Sequence, residues 1–236
     1  MTISLLIPMA GKGTRLRPWT DRTPKELLPL GGRPVVHGAM LDAVAAGVRD
    51  VVVVLGPKKD ALREWLVANR PANVALGFAL QPEPTGILDA IARGRALLGP
   101  GAFAVLYPDW ISLPDQTGLR ALVDAHARLG GSVIGLVRRT ALHGTTARAV
   151  TPDTGDVRRV VRLEAGAGEI HTAFAEVRGQ DLRLPARDED NLDAWNEAAG
   201  AGTLSGVFFG DALDVGTIAG YEDAMLRFDE GRARWR

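Results

Sequence analysis

Short apolar runs alternate with amphipathic segments along the first half of the chain. The runs are typical of strands buried inside a sheet, and they occupy residues 3–8, 51–55, 74–80 and 103–107. Between and after them, apolar residues recur at helical spacing in residues 36–46, 60–69, 86–98 and 117–129. Strands that alternate with helices in this way predict an α/β fold, in which a mixed, mostly parallel sheet carries helices on both faces.

The second half of the chain predicts shorter elements. Strands are expected at residues 132–138, 148–151, 158–163, 171–177 and 203–209, and helices at residues 191–199 and 218–231. Residues 153–155 are expected to form the turn between the second and third of these strands, and residues 187–190 a charged loop. In the last helix, a core is expected to be contacted by Met225, Leu226 and Phe228.

The most informative segment lies between residues 9 and 30, directly after the first predicted strand. It contains Gly11 and Gly13, then Arg15, and later Lys25. A glycine loop at the end of a strand lets backbone N–H groups approach an anion closely. Arginine then offers phosphate oxygens a planar fork, whereas lysine offers a compact point charge. The segment therefore predicts a phosphate-binding loop.

Two common phosphate loops do not fit this segment. The dinucleotide fingerprint needs a third glycine at the position where the chain has Leu16. A Walker A loop needs lysine and then serine or threonine after its second glycine, but here Lys12 precedes Gly13 and Thr14. The phosphate loop is therefore of another kind.

Composition narrows the classes of function. The chain has 28 basic and 28 acidic residues, and this balance argues against nucleic acid or an anionic membrane as a partner. It has no apolar run of about 18 residues and no basic segment before its first apolar stretch, so we expect neither a membrane span nor a signal peptide. With no cysteine, it has no thiolate nucleophile. We expect a cytoplasmic protein, and a homo-oligomer is compatible with this composition.

Two sequence patterns near the N-terminus occur together. Residues 11–18 are G-x-G-T-R-L-x-P, and residues 24–29 are P-K-x-L-L-P. This combination resembles the start of the sugar nucleotidyltransferases, a family that includes glucose-1-phosphate uridylyltransferases and thymidylyltransferases. The resemblance implies a Rossmann-like nucleotidyltransferase fold. The length of the chain fits a single domain over residues 1–236. Within it, a boundary near residue 140 would separate a nucleotide-binding half from an acceptor-binding half that begins at residue 141.

The same resemblance assigns roles to the residues of the loop. Arg15 would contact the β- and γ-phosphates of a nucleoside triphosphate and Lys25 its α-phosphate, where each cation stabilises charge that develops during transfer. Further nucleotide contacts would come from Ala10, Gly11, Gly13 and Thr14. The alternative is that Arg15 and Lys25 are solvated surface charges.

Two aspartates are candidate metal ligands. Asp109 follows the apolar run that ends at Tyr107, and open α/β sheets bind ligands beyond the carboxyl ends of their strands. Asp214 begins D-x-G-T, which resembles a late segment of the family, whereas Asp211 lacks the following x-Gly-Thr. The resemblance implies that Asp109 and Asp214 share one Mg²⁺ with phosphate oxygens. Otherwise Asp109 is a turn residue and Asp214 caps the last helix, unless Thr217 does so.

Gln81 and Gly86 follow the third predicted strand in the segment Q-P-E-P-T-G. In the uridylyltransferases and thymidylyltransferases that the chain resembles, the corresponding residues contact the edge of the pyrimidine. An amide can pair with a donor and an acceptor of uracil or thymine. The resemblance therefore implies UTP or dTTP, with CTP accepted if Gln81 turns its amide, and the alternative for Gln81 is an ordinary polar loop residue.

The acceptor half departs from the family pattern at Glu164. The family has Glu-Lys-Pro near this position, with the glutamate on sugar hydroxyls and the lysine on the sugar phosphate, but here Ala165 follows Glu164. We expect another cation to replace the lysine. Strand alternation puts Arg162 and Glu164 on one sheet face, and Arg148 lies on the neighbouring predicted strand. Acceptor binding is predicted for Glu164, Arg162 and Arg148, unless the arginines are solvated strand residues.

These residues together predict a Mg²⁺-dependent nucleotidyltransferase. It would transfer a nucleotide from an NTP to a small phosphorylated acceptor, with a sugar 1-phosphate as the first choice, and release pyrophosphate. Two alternatives stay open. One is a cytidylyltransferase that acts on a phosphoalcohol or a phosphonate, and the other is a catalytically silent relative that binds nucleotide and regulates a partner.

Overall fold

The apolar runs of the sequence form the strands of one large sheet. The structure is a computed structural model that describes residues 3–113, 118–138, 147–152, 155–166, 168–209 and 212–235. Its strands are β1 (Ser4–Met9), β2 (Pro29–Leu30), β3 (Arg33–Pro34), β4 (Asp50–Leu55), β5 (Ala75–Leu80), β6 (Phe103–Leu106), β7 (Trp110–Ser112), β8 (Ser132–Arg138), β9 (Arg148–Val150), β10 (Val157–Arg159), β11 (Arg162–Glu164), β12 (Ile170–Arg178), β13 (Leu204–Phe208) and β14 (Ala212–Asp214). Its α-helices are α1 (Val36–Ala45), α2 (Asp60–Ala68), α3 (Ile87–Arg95), α4 (Gly118–Leu129), α5 (Asn191–Gly200) and α6 (Ile218–Asp229).

Within the described residues, ten strands form the large sheet. Strands β6, β1, β4 and β5 lie side by side and run parallel, as β8 and β13 do. Strand β12 lies between β6 and β8 and runs antiparallel to both. Strand β10 pairs with β13, whereas β9 attaches to β12 and carries β11. The predicted mixed, mostly parallel sheet is confirmed, and it takes strands from both sides of residue 140.

Helices cover both faces of this sheet. Leu6 and Ile7 are fully buried although they point to opposite faces, which explains why β1 is a continuous apolar run. Ile7 belongs to a cluster with α1, α2 and α4. Leu6 belongs to a cluster with α3, and Leu204 on β13 belongs to a cluster with α5. The elements predicted in the first half are present with ends shifted by a few residues, and the predicted helix start Thr117 lies outside the described residues.

The predicted strand at residues 158–163 is wrong, because the structure divides it into β10 and β11. The chain changes partners between two adjacent residues. Val160 N donates to Leu204 O on one side, and Val161 N donates to Val150 O on the other, each at 3.0 Å. Apolar character continues across this change, so the sequence pattern does not reveal it. Residues 153 and 154 of the predicted turn lie outside the described residues.

The last helix closes a separate apolar cluster next to the large sheet. Tyr221 and Ala224 of α6 are buried there together with Ile111 of β7 and Leu213 of β14. The prediction that Leu226 faces a core is wrong, because its side chain is 50% exposed. The cluster fixes the short ribbon of β7 and β14 beside the sheet. In the part of the chain that the structure describes, no helix combines the length and apolar character needed to cross a membrane.

Candidate active site

A cleft of about 930 Å³ opens at the carboxyl ends of β1 and β6. The end of β1 contributes Pro8 and Ala10, and the start of α3 contributes Ile87. From the second half of the chain, Leu192 and Trp195 of α5 line the same cleft. Ligands of open α/β sheets bind at the carboxyl ends of the strands, so the cleft lies where chemistry is expected.

The glycine loop takes its shape from a buried anchor and a left-handed glycine. A 3₁₀ turn at Thr14–Leu16 follows the loop, and its Leu16 side chain is buried. Gly13 precedes the turn with φ of 68°, a conformation that favours glycine because it has no Cβ. The Thr20 hydroxyl donates to the Gly13 carbonyl at 2.8 Å and holds the returning chain against the loop.

The loop contributes Ala10, Gly11 and Arg15 to the lining of the cleft. A Cβ added to Gly11 would meet no other atom within 4 Å, so the backbone is open there to a ligand. Gly13 and Thr14, which were also predicted to contact nucleotide, do not line the cleft. Gly13 shapes the turn instead, and nucleotide contacts at these two residues stay a prediction.

Lys25 and Asp109 form an ion pair inside the cleft. Lys25 Nζ donates to Asp109 Oδ2 at 2.8 Å, and both side chains are largely buried. Burial opposes both charges, but the attraction between them outweighs it. Asp109 and Glu26 raise the pKa of Lys25 above its ordinary value, and Lys25 lowers the pKa of Asp109 below its ordinary value. At neutral pH, Lys25 is a cation and Asp109 an anion.

The ribbon of β7 and β14 brings Asp214 beside Asp109. The two strands pair antiparallel, with Asp214 opposite Trp110, the residue that follows Asp109. A Cβ added to Gly216 would lie 3.1 Å from Asp214 Oδ1, 3.2 Å from Asp109 Oδ2 and 3.5 Å from Arg15 Nη2. The two carboxylates and the guanidinium therefore converge around a residue that has no side chain.

Asp214 does not cap the last helix. Thr217 is the N-cap of α6, where its hydroxyl accepts a hydrogen bond from Gly220 N at 3.2 Å. Asp214 accepts from Gly216 N at 3.0 Å and lines the cleft with Asp109. Among the described residues, no group of three or more metal-ligating side chains is present. Two carboxylates that face a phosphate-binding loop fit Mg²⁺, which takes its other ligands from phosphate and water.

Gln81 is held through its amide nitrogen. Nε2 donates to the Gly86 carbonyl at 2.8 Å and to Asp89 Oδ2 at 2.9 Å. Hydrogen bonds to Asp89 from Arg93, Thr85 and Gln81 lower the pKa of this carboxyl to about 2, so it stays an acceptor. Because both partners of Nε2 are acceptors, Oε1 must face away from them. Gln81 lines the cleft, and the end of its amide left for a ligand is an acceptor.

Asp188, from the acceptor half, contacts the loop at Gly86. Its carboxylate accepts hydrogen bonds from Ile87 N at 2.8 Å and Leu88 N at 2.7 Å, in the first turn of α3. Gly86 has φ of 112°, and a Cβ there would collide with the Asp188 carboxylate, so only glycine permits this approach. Asp188 was expected only in a charged loop, because no local sequence pattern links residues about 100 positions apart.

The three predicted acceptor residues lie together but outside the cleft lining. Glu164 of β11 lies opposite Arg148 of β9, and its carboxylate pairs with Arg148 and, at 3.3 Å, with Arg162. Leu163, between Arg162 and Glu164, lines the cleft. Successive side chains of a strand point to opposite faces, so Arg162 and Glu164 point away from it. The geometry therefore gives no support to acceptor binding by these three residues.

The cleft is also lined by residues that no sequence motif had indicated. Among them are Tyr107, Glu176, Asn191 and Trp195. Burial, followed by the Glu176 charge, raises the pKa of Tyr107 well above its ordinary value, so the phenol keeps its proton. One feature of the sequence could have indicated these residues. Glu176 and Arg178 stand two positions apart at the end of an otherwise mostly apolar strand.

One protein family matches most of the segments described above. Its model, described as Nucleotidyl transferase, matches residues 5–147, which include the glycine loop, Lys25, Gln81 and Asp109. The chain belongs to the nucleotidyl transferase family. The family resemblance drawn from the N-terminal motifs is thereby confirmed. The match does not extend to Asp214, nor to Glu176, Asn191 and Trp195 in the lining of the cleft.

This nucleotidyl transferase is similar to curated proteins named UTP–glucose-1-phosphate uridylyltransferase. The protein of that name from Bacillus subtilis (strain 168) is 31% identical over 152 residues, which are 56% of this chain and 52% of the relative. The protein of that name from Mycoplasma pneumoniae gives the same identity over the same shares of the two chains. The nucleotidyl transferase thus spans about half the length of these curated relatives.

Solved structures share the fold of this nucleotidyl transferase over nearly its whole length. A UDP-glucose pyrophosphorylase complexed with UDP-glucose has a TM-score of 0.86 at 22% identity, covering 98% of this chain and 100% of that one. A UTP-bound UGPase from Acinetobacter baumannii has a TM-score of 0.80 at 18% identity, covering 97% of this chain and 93% of that one. At these identities the likeness shows the fold, and it extends beyond the part that the family model matches.

Proposed function

We propose that this nucleotidyl transferase transfers a nucleotide from an NTP to a phosphorylated acceptor, a sugar 1-phosphate, and releases pyrophosphate. The observation that carries the proposal is the convergence of Arg15, Asp109 and Asp214 on one point of the cleft, beside Lys25. Cations next to metal-ligating carboxylates suit a reaction in which charge shifts among phosphate oxygens. The names of the curated relatives, which refer to uridylyl transfer and glucose 1-phosphate, support the same reaction class.

The proposed reaction needs no covalent intermediate. An oxygen of the acceptor phosphate attacks the α-phosphorus, and pyrophosphate leaves from the opposite side. The protein therefore has to align the two substrates and stabilise charge. Lys25 would stabilise charge on the α-phosphate oxygens, and Arg15 would stabilise charge on the departing pyrophosphate. Mg²⁺, held by Asp109 and Asp214, would act as a Lewis acid on the phosphate oxygens.

The orientation of Gln81 favours UTP or dTTP. Because Gly86 and Asp89 occupy Nε2, Oε1 is the atom left to meet a base. The imide N–H of uracil or thymine can donate to this oxygen, whereas N3 of cytosine is itself an acceptor and only the 4-amino group of cytosine could donate to it. Turning the amide to suit cytosine would set Oε1 against the Asp89 carboxylate. The geometry thus supports the uridylyl or thymidylyl reaction over the cytidylyl alternative.

Pyrophosphate release tests this proposal. Each of the five common NTPs is combined with sugar 1-phosphates, phosphoalcohols and phosphonates, and reactions without acceptor give the background of NTP hydrolysis. We expect acceptor-dependent release with UTP or dTTP and a sugar 1-phosphate. Release with CTP and a phosphoalcohol or phosphonate would establish the cytidylyl alternative instead. Nucleotide binding without release, for every acceptor, would make the chain a silent nucleotide-binding protein.

A further inference from the structure

A buried polar cluster on the acceptor side of the cleft has no part in the chemistry proposed above. Glu176 of β12 lines the cleft although it is only 6% exposed. Arg178, two residues further on the same strand, is 2% exposed and donates from Nε to Glu176 Oε1 at 2.6 Å. Arg178 Nη2 also donates to Asn191 Oδ1 at 3.1 Å, and its guanidinium carbon lies 5.0 Å from the centre of the Trp195 ring. The arginine is held from two elements, β12 and α5.

Packing alone does not require this ion pair. The residues opposite Glu176 on the neighbouring strands are Val105 and Ile134, and both are apolar. Burying a carboxylate and a guanidinium costs desolvation that apolar side chains of similar size would avoid. The Tyr107 phenol, which lines the cleft, lies beside both charges of the pair. A buried charged pair that borders a cleft next to a phenol is a candidate binding site.

An irregularity in β12 brings the cluster to the cleft. The register between β12 and β8 shifts between Thr172 and Glu176. Such bulges change the direction of side chains and are common next to functional sites. Thr172 lines the cleft, and so do Ala175 and Glu176, although successive residues of a regular strand face opposite ways. The strand therefore presents the Glu176 carboxylate to the same space that the reaction centre opens into.

The charges in the cleft separate its two ends. Among the described residues that line it, the cations are Arg15 and Lys25, at the glycine-loop end. On the acceptor side, Arg178 compensates the charge of Glu176. Two N–H groups at the start of α3 compensate the charge of Asp188. A phosphate is therefore attracted to the glycine-loop end, whereas Glu176 is suited to a neutral hydrogen-bond donor.

We propose that Glu176 determines acceptor specificity by accepting a hydrogen bond from a hydroxyl group on the body of the acceptor. Arg178 is the positioning residue that holds the carboxylate. The inference rests on the proposed function and names the acceptor class within it, a phosphorylated sugar or polyol whose body carries no charge. The acceptor phosphate faces Lys25, and the hydroxyl groups face β12. Glu176 thus takes the part that the family resemblance gave to Glu164.

Glu176→Gln and Glu164→Gln form a matched pair of variants. Both glutamates pair with an arginine in the acceptor half, but only Glu176 lines the cleft. At saturating NTP, E176Q should raise the KM for glucose 1-phosphate by roughly 10- to 100-fold, the effect of losing a hydrogen bond to a charged group. The KM for NTP should stay the same, and E164Q should change neither value. Equal effects of the two substitutions, or no effect of E176Q, would overturn the proposal.

A binding measurement separates this inference from the proposed function, because it needs no turnover. Calorimetry compares glucose 1-phosphate with phosphocholine, whose quaternary ammonium has a charge but no N–H or O–H donor. Glucose 1-phosphate should bind wild type more tightly than E176Q, and phosphocholine should bind both proteins equally. This pattern without any turnover would refute the proposed function and leave the inference intact. Equal binding of glucose 1-phosphate to both proteins, or a preference for phosphocholine that E176Q abolishes, would overturn the inference.

Two further variants guard against a simple folding defect. Replacing the pair together, as Glu176→Leu with Arg178→Met, removes both buried charges and leaves apolar side chains of similar size, which protein cores tolerate. This variant should keep its circular dichroism and NTP binding but show the raised acceptor KM. Arg178→Met alone should raise the acceptor KM while kcat at saturation is retained, a split that a loss of folded protein would not give. An unchanged acceptor KM in the folded double variant also counts against the proposal.

Discussion

At the scale of single residues, Lys25 and Asp109 form an ion pair in the proposed reaction centre. Lys25→Met removes the cation but keeps most of the aliphatic chain. We expect kcat to fall by roughly 10²-fold or more, the scale for one contact that stabilises transition-state charge. Lys12→Met is the control, because Lys12 is an exposed lysine in the same loop region. A steady-state assay that gave both variants near-normal kcat would place Lys25 outside the reaction centre.

The same ion pair should also make the free energy of unfolding depend on pH. Lys25 lowers the pKa of Asp109 in the folded protein. The pair therefore stabilises the fold fully above the carboxyl pKa of the unfolded chain, about 4. This stabilisation is lost as the pH falls through the lower pKa of the folded protein. Asp109 raises the pKa of Lys25 in the folded protein. The stabilisation is therefore fully present below the lysine pKa of the unfolded chain, about 10.4, and is lost as the pH rises through the higher pKa of the folded protein. At neutral pH, the free energy of unfolding of the wild type should exceed that of Lys25→Met by about 1–3 kcal/mol. Urea unfolding should show this difference shrinking in acid and alkali, and a constant difference would refute the assignment.

The place of a residue in the cleft could be predicted from the sequence where it depends on neighbouring positions. Asp109 was expected there because it follows a buried strand, and Lys25 because it stands in a long motif, and both line the cleft. The orientation of Gln81 could not be predicted, since it depends on Asp89 in the next helix. Glu176 was overlooked because a charged residue in a strand is ordinarily exposed, and only the packing of α5 shows that it is buried.

At the scale of elements, α3 receives its N-cap from a segment that follows β12. Asp188→Ala removes the acceptor of two backbone N–H groups, and caps of this kind contribute about 0.5–2 kcal/mol to stability. We expect that loss in urea unfolding. Nucleotide binding should also weaken in calorimetry, because the capped turn adjoins Gly86 and Gln81. Glu189→Ala is the matched control, as Glu189 lies in the same turn and forms an exposed ion pair with Arg187. Identical results for the two variants would contradict the capping role.

Strands β1, β4, β6 and β8 were predictable because they are buried on both faces, so each one is a distinct apolar run. Other elements depend on contacts that the apolar pattern does not show. The change of partners at Val160 and Val161 leaves the apolar pattern unbroken, and the strands of the β7–β14 ribbon are three residues each. Helix α6 was predicted, but the exposure of Leu226 depends on which face meets the ribbon. Long-range packing, which no local pattern specifies, decided these cases.

At the scale of the whole molecule, the proposed reaction centre exists only when distant segments meet. Arg15 comes from the loop after β1, Asp109 from the end of β6, and Asp214 from β14. The family model matches the first two of these segments, whereas the third lies beyond the matched residues 5–147. Its position therefore follows from the fold, through the pairing of β14 with β7 and the apolar cluster beneath α6.

A substitution at the proposed metal site tests most directly whether these three segments act together. Asp214→Asn keeps an oxygen that can accept from Gly216 N, so the local turn should survive while the negative charge is lost. We expect the Mg²⁺ concentration for half-maximal rate to rise by about tenfold or more. Asp223→Asn is the control, because Asp223 is 52% exposed and pairs with Arg227 on the outer side of α6.

Mg²⁺ and UTP together should raise the melting temperature of the wild-type protein. This metal-dependent stabilisation should be reduced in Asp214→Asn and retained in Asp223→Asn. This second readout matters because ligand-induced stabilisation reports binding without requiring turnover. EDTA should abolish pyrophosphate release by the wild-type protein, since neither Lys25 nor Arg15 would supply the Lewis-acid chemistry of a divalent cation. Full activity in EDTA would remove the metal from the mechanism and leave Asp109 as the counter-ion of Lys25 alone.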